Sequence, residues 1–507
     1  MGRRGFGGGY TESQRAGRPF RARPRGVASR GATIEVALDH LAAVSAEATR
    51  RNRRLGTERY EIMNSLGIRL VLGAALCCIG LAACGDRHGP EADPDTPAGR
   101  SSTSASAAAS VLAPKPSASS SAGAFAAGAG RPVPSGAASA SGTAGAEASI
   151  AGGVPAPSAA EFRDLVTRLS EPDAEFFSDN FISNETSYLQ VARRLGQAAK
   201  PGGVYLGVGP EQNFTYIALS RPSLAFVVDI RRGNLILQLL YKAAFDLARS
   251  RSELLTLLVG RPYDASAPLL PEADLATVMA HAERLAASDD SYRANHQAIL
   301  QRLEQGYGLT LDARDRRALE QAHRAFFKDG LDIRFKLKEN SARRYPSLRE
   351  LLTAADPDGE PLGFLAREST FRLVQQMERE NRVIPLVGDF AGDHAMPGLA
   401  AYLRQARLTV AVFYVSNVEQ YLFENGVWSK WRRNIEALPT DADSLFVRCY
   451  LDQGRRHPHQ LPGQRTATVL QRIADFVARQ KDKPYRSMWQ VSTDEWLPVE
   501  APDALRR

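Results

Sequence analysis

The stretch that most constrains this chain runs from Gly202 to Asn234, GGVYLGVGPEQNFTYIALSRPSLAFVVDIRRGN. A short apolar run, Val204-Tyr205-Leu206, breaks into Gly207-Val208-Gly209. A segment with helical spacing follows, carrying Phe214, Ile217, Ala218 and Leu219 on one side. Leu224-Ala225-Phe226-Val227-Val228 then reads as a buried strand stopped by Asp229. Strand, glycine turn, helix, strand, and an acid about 20 residues past the glycines is the βαβ arrangement with which parallel sheets hold dinucleotides. Glycines let the backbone approach a ligand, the helix N-terminus offers free N–H groups, and the acid accepts from ribose hydroxyls.

The rest of the globular part, 161–502, extends that unit. EFRDLVTRLS is an amphipathic helix, and Ser183, Asn184 or Thr186 can cap a helix from Ser187 to Ala199. After Asp229 the pattern is helical for about 145 residues, a helical insertion over 234–381 that follows the second strand. Strands return at Arg382–Val387, Leu408–Tyr414 and Ser444–Tyr450. A helix over Arg465–Gln480 and a last strand over Ser487–Ser492 complete the expectation. Strands alternating with helices predict an α/β fold, a doubly wound, mostly parallel sheet covered on both faces.

Ligands of such sheets sit outside the carboxyl ends of the strands. There the chain places Gly207, Gly209 and Glu211, then Asp229 with Arg231 and Arg232. The third and fourth strands deliver Gly388, Asp389 and Phe390, and Ser416, Asn417 and Glu419. A small-molecule ligand is expected among them. No GxSxG elbow, GxxxxGK[ST] phosphate loop or HExxH pair is present, so common hydrolases, kinases and zincins lack support. His457-Pro458-His459 has no suitably spaced acid or thiol, and no metal site is expected; Asp393-His394 reads as a solvated loop before it reads as an acid–base pair.

The order of glycine loop, acid after the second strand, Gly-Asp-Phe after the third and polar motif after the fourth resembles class I S-adenosylmethionine-dependent methyltransferases, which have a Rossmann-like sheet. GGVYLGVGPEQNFTYIA with FVVDIRR and FYVSNVEQYLF is also similar to a little-characterised family of bacterial proteins given that fold. The resemblance implies S-adenosylmethionine as cofactor. Gly207 and Gly209 would approach its methionine and ribose part with Glu211 beside them, Asp229 would take the ribose hydroxyls, and Asp389 and Phe390 would flank the adenine. Asn417 and Glu419 would face the methyl acceptor, Glu419 or Glu211 as base.

Ahead of the globular part the text changes. Residues 1–62 hold thirteen Arg, no Lys and six acids, +7 of the chain's +8, so the remainder is close to neutral. That leaves no clustered basic face and argues against a nucleic-acid partner. The 1–62 stretch reads as a disordered or untranslated Arg/Gly-rich extension. Residues 63–84, MNSLGIRLVLGAALCCIGLAAC, have a positive start, a short apolar core and small residues before the cut, the layout of a secretory signal. Leu81-Ala82-Ala83-Cys84 resembles a bacterial lipobox, which implies lipidation of Cys84, a membrane anchor and a place in the cell envelope outside the cytoplasm. Residues 85–160 are a tether: 51 of residues 101–160 are Ala, Ser, Gly, Pro or Thr, too few large apolar groups for a core. Besides Cys77, Cys78 and Cys84 only Cys449 remains, so the folded part can form no internal disulfide.

Overall fold

The computed structural model describes residues 153–498 apart from 339–343, 453 and 495. The extension, the signal, Cys84 and most of the tether lie outside the described residues. Helix α1 (Ala159–Leu169) opens the fold, fixed by a capping box in which Ser158 and Glu161 exchange backbone and side-chain bonds. A 3₁₀ turn (Tyr188–Val191) runs into α2 (Ala192–Ala198). The opening unit follows as β1 (Val204–Gly207), α3 (Gln212–Ser220) and β2 (Leu224–Asp229).

Among the described residues the insertion has no strand of the sheet, and its α-helices are α4 (Arg232–Leu247), α5 (Arg251–Leu258), α6 (Leu275–Glu283), α7 (Asp289–Gln301), α8 (Ala313–Asp329), α9 (Leu348–Leu352) and α10 (Glu368–Arg379). Then come β3 (Val383–Val387), α11 (Ala395–Gln405), β4 (Val410–Ser416), α12 (Val418–Glu424), α13 (Trp428–Ala437) and β5 (Thr440–Leu451). The described residues end in β6 (Thr466–Arg472), α14 (Ile473–Asp482), α15 (Met488–Thr493) and the short β7 (Trp496–Leu497).

The seven strands form one sheet in the order β3-β2-β1-β4-β5-β6-β7. The first five are parallel, and β6 is antiparallel to both its neighbours. Every residue of β1, β2 and β3 is buried. Successive side chains point to opposite faces, so unbroken burial means both faces are covered. The strand order reverses between β1 and β4, which is where such sheets leave a crevice.

Two expected elements near the end change type. Thr466–Arg472 is a strand, because Thr466, Thr468 and Val469 are β-branched and pair with Leu451 to Leu445 of β5. Ser487–Ser492 is helical, because the Ser487 side chain accepts from Gln490 N and caps α15. Among the described residues no helix is long and apolar enough to cross a membrane.

Candidate functional site

The glycine loop after β1 is packed from within. A Cβ on Gly207 would lie 2.0 Å from Asn213 Oδ1 and 2.7 Å from the Tyr205 ring. Asn213 turns its amide back into the loop: Nδ2 donates to Val208 O, Gly209 O and Pro210 O at 3.0, 3.2 and 2.7 Å. Tyr205 OH donates to Asn213 Oδ1 at 2.9 Å. Gly209 has φ +79°, and Gln238 Nε2 of α4 donates to its carbonyl at 3.0 Å. Gly207 is therefore required by the loop's own packing and Gly209 by its left-handed backbone.

The crevice between β1 and β4 holds a piece of the same chain, Ser183 to Ser187. Ser183 N donates to both Glu211 oxygens at 3.1 and 3.2 Å, and Ser183 Oγ donates to Gln212 Oε1 at 2.5 Å. Glu185, 1% exposed, sits deepest. Its carboxyl accepts from Gln212 Nε2 at 2.9 Å, Tyr414 OH at 2.8 Å and Ser416 Oγ. Ser187 N donates to Thr466 Oγ1 at 3.0 Å, which carries the segment past the end of β5. The expected cap by Ser183, Asn184 or Thr186 is thus corrected: Ser187 stands at the N-cap of the 3₁₀ turn without a side-chain cap bond, Ser183 Oγ is given to Gln212, and Thr186 Oγ1 lies 3.4 Å from Thr466 Oγ1.

Burial dominates the electrostatics here. It pushes Glu211 up to about 7, with Glu185 adding to the rise. Burial also raises Glu185, against the pull of Ser416, Gln212, Tyr414 and Cys449 as donors. Ser416 ends β4 at an irregularity of the strand register with φ +53°, a left-handed backbone that a serine rarely takes. A cavity of about 10 Å³, the size of one water, lies under the segment between Ser183, Tyr188, Glu211, Gln212, Thr215 and Phe364.

The other expected residues divide. Asp229 is buried and capped: Oδ1 accepts from Arg231 N and Nε at 2.9 and 3.0 Å, and Oδ2 from Nη2 at 2.9 Å. Asn417 is half-buried at the crevice rim, its Oδ1 accepting from Ser416 Oγ at 3.3 Å. A continuous hydrogen-bond path therefore links Glu211, Ser183, Gln212, Glu185, Ser416 and Asn417. Asp389 is exposed, donates its N–H to Glu171 and accepts from Ala391 N at 2.8 Å.

Phe390 and Glu419 lie elsewhere than expected. Phe390 is 2% exposed and stacks on Trp431 at 5.3 Å, so its ring fills the core. Glu419 is 0% exposed; Oε1 accepts from Trp431 Nε1 at 3.1 Å and Arg448 Nη2 at 3.2 Å, and Oε2 from Arg448 Nε. Helix geometry separates it from Asn417, since two residues on an α-helix point about 200° apart. Neither faces a ligand in this arrangement.

A shallow groove of about 530 Å³ runs beside the end of β3, between Ser170–Pro172 and Asp393-His394. Asp393 pairs with Lys430 at 2.8 Å and His394 Nε2 bonds Arg168 O at 3.0 Å, so the two do not form an acid–base pair. His457 Nε2 bonds Ser492 O at 3.0 Å and its Nδ1 accepts from His459 N at 3.1 Å. Among the described residues no three His, Cys, Asp or Glu side chains converge to hold a metal ion.

Sequence reasoning missed Glu185, Gln212 and Ser183. Ser183-Asn184-Glu185 precedes helical text, so its polar residues read as capping. Only its pairing with the start of α3, 27 residues away, and the end of β4, 231 residues away, reveals its place.

Fold and site together define a mostly parallel, Rossmann-like α/β protein with its switch-point crevice occupied from within. Residues 180–497 match the family described as Domain of unknown function (DUF7790), and the chain belongs to it. No curated protein matches the chain.

Proposed function

We propose that the chain is an envelope-tethered binding module that keeps a methyltransferase-like fold without methyl transfer at the switch point. One observation carries this: the crevice between β1 and β4 is filled by Ser183–Ser187 and their hydrogen bonds. Three further placements support it. The acid meant for ribose is saturated by Arg231, the ring meant for adenine stacks on Trp431, and Glu419 is paired with Arg448. The lipobox-like Leu81-Ala82-Ala83-Cys84 supports lipidation at Cys84 and a site outside the cytoplasm, where cytosolic cofactors have no obvious supply.

A second reading, an S-adenosylmethionine-dependent methyltransferase, draws on one specific observation. Two buried acids and a left-handed serine meet at the switch point, and perturbed acids gather at reaction sites. Calorimetry on the full chain separates the two. The binding-module reading expects no heat with millimolar S-adenosylmethionine or S-adenosylhomocysteine; saturable heat with either, abolished by Asp229→Ala, would establish the second reading. For the anchor, labelling with a palmitate analogue should vanish in Cys84→Ala, and persistence of the label would remove the tether from the proposal.

A further inference from the structure

The segment in the crevice is recognised as a ligand would be. Its Glu185 carboxyl meets three donors from two separate elements: Gln212 on α3, and Tyr414 and Ser416 on β4 with its bulged end. Its Ser183 N–H meets a carboxylate, Glu211, at the N-terminus of α3. Tyr216 OH donates to Tyr188 O at 3.0 Å, so the turn that follows is read as well. A carboxylate and an N–H two residues apart are thus held by side chains that all belong to the sheet or to α3.

The seat also lacks the finish of a permanent core. Behind the glycine loop, α4 presents Asn234, Gln238 and Tyr241 on one face, at spacings of four and three residues. Both amide atoms of Asn234, Gln238 Oε1 and Tyr241 OH are buried without a hydrogen-bond partner among the described residues. Buried polar groups in a settled interior are paired, so unpaired ones on one face of α4 mark a wall that can take up water or a ligand. The occupying segment carries no regular secondary structure between Asp179 and Ser187, and Asn180 at its start has φ +52°. It is the part of the crevice wall that no helix or strand ladder holds.

We propose that Asn180–Ser187 is a displaceable internal occupant and that the crevice beneath it binds acidic amino-acid derivatives, molecules presenting a carboxylate to Gln212, Tyr414 and Ser416 and an N–H to Glu211. The inference rests on the binding-module reading and names the ligand class of that same crevice. Two sources of this chemistry exist, a free amino-acid derivative and a peptide.

Hydrogen exchange and thermal melting of the full chain test it, with N-acetylglutamate and the peptide acetyl-Ser-Asn-Glu-amide as probes. In the wild type, amides of residues 180–187 should exchange about tenfold or more faster than those of β1 and β4, through opening that leaves the sheet intact. In Glu185→Ala either probe should raise the melting temperature and slow exchange of the Gly207–Gln212 loop. Rescue by N-acetylglutamate assigns the free derivative; rescue by the peptide alone assigns a peptide. Exchange of 180–187 only together with β1 and β4, or a Glu185→Ala melt unmoved by both probes, would overturn the proposal. Should Glu185→Ala not fold, Ser416→Gly removes one donor while suiting the left-handed backbone, and the same outcomes apply. Binding of S-adenosylmethionine would sink the module reading alone, since exchange and rescue are scored without it.

Discussion

β4 ends in two regions that treat a buried acid in opposite ways. Ser416 turns toward the crevice, where Glu185 and Glu211 meet only neutral donors. Three residues later Glu419 turns into the core and meets the Arg448 guanidinium, which also donates to Gln471 Oε1 at 2.5 Å. Both residues of that pair are 0% exposed. The contrast teaches how the molecule separates rigidity from adjustability. A desolvated ion pair on two adjacent elements is destroyed by losing either partner. An acid held by neutral hydroxyls and amides can take up a proton, exchange its partners for water, and reseat.

The largest expected effect breaks the rigid side. Glu419→Ala leaves the Arg448 charge buried and unpaired, which costs about 3–5 kcal/mol. Urea unfolding of the full chain should show the midpoint fall with the slope unchanged. Joint replacement, Glu419→Leu with Arg448→Met, should recover most of that loss, because the pair's attraction is largely offset by its desolvation. A loss below about 1 kcal/mol in the single variant would mean that water reaches the pair.

The next effect belongs to the adjustable side and depends on pH. Glu211 stands at about 7 in the folded chain against 4.5 unfolded, raised by burial. A raised folded value means that its contribution is fully present below pH 4.5 and is lost as pH rises through 7. Glu211→Gln stays neutral at every pH and keeps an oxygen for Ser183 N. It should match the wild type near pH 5 and be more stable by about 2–3 kcal/mol at pH 8. Unfolding midpoints at the two pH values check this. Equal pH profiles for the two proteins would place the titration elsewhere, for example at Lys242 and Glu378. Burial brings that buried pair to about 8 from both sides.

What could be read in the sequence divides along the same line. β1, β2 and β3 and their glycine loop are legible because fully buried strands are continuous apolar runs, and the loop has the residues its turn demands. The helical insertion is legible from its period alone. β6 is not, since its strand state comes from pairing with β5, and a seven-residue run with mixed pattern does not announce a partner. In the site, Asn417 reaches the crevice rim, while Glu419 two positions on is carried to the far side of α12. Strand ends indicate where polar groups start, and one turn of helix decides where they point. Ser183–Glu185 could be read only as capping, because an irregular segment has no period to show that it faces the sheet.

The smallest expected effect sharpens the comparison by acting behind the crevice. Asn234 is 1% exposed and neither of its amide atoms has a partner among the described residues. An unpaired buried amide costs about 1–3 kcal/mol, and a leucine of similar shape carries no such cost. Asn234→Leu should therefore stabilise the closed chain by about 1 kcal/mol and slow exchange of residues 180–187 by a similar factor in free energy. A protein whose crevice is permanently dry would show the gain in global unfolding alone, with the segment unchanged. Faster exchange of the segment would mean that Asn234 holds water which the closed seat needs, and the wall would then be wet in the closed state as well.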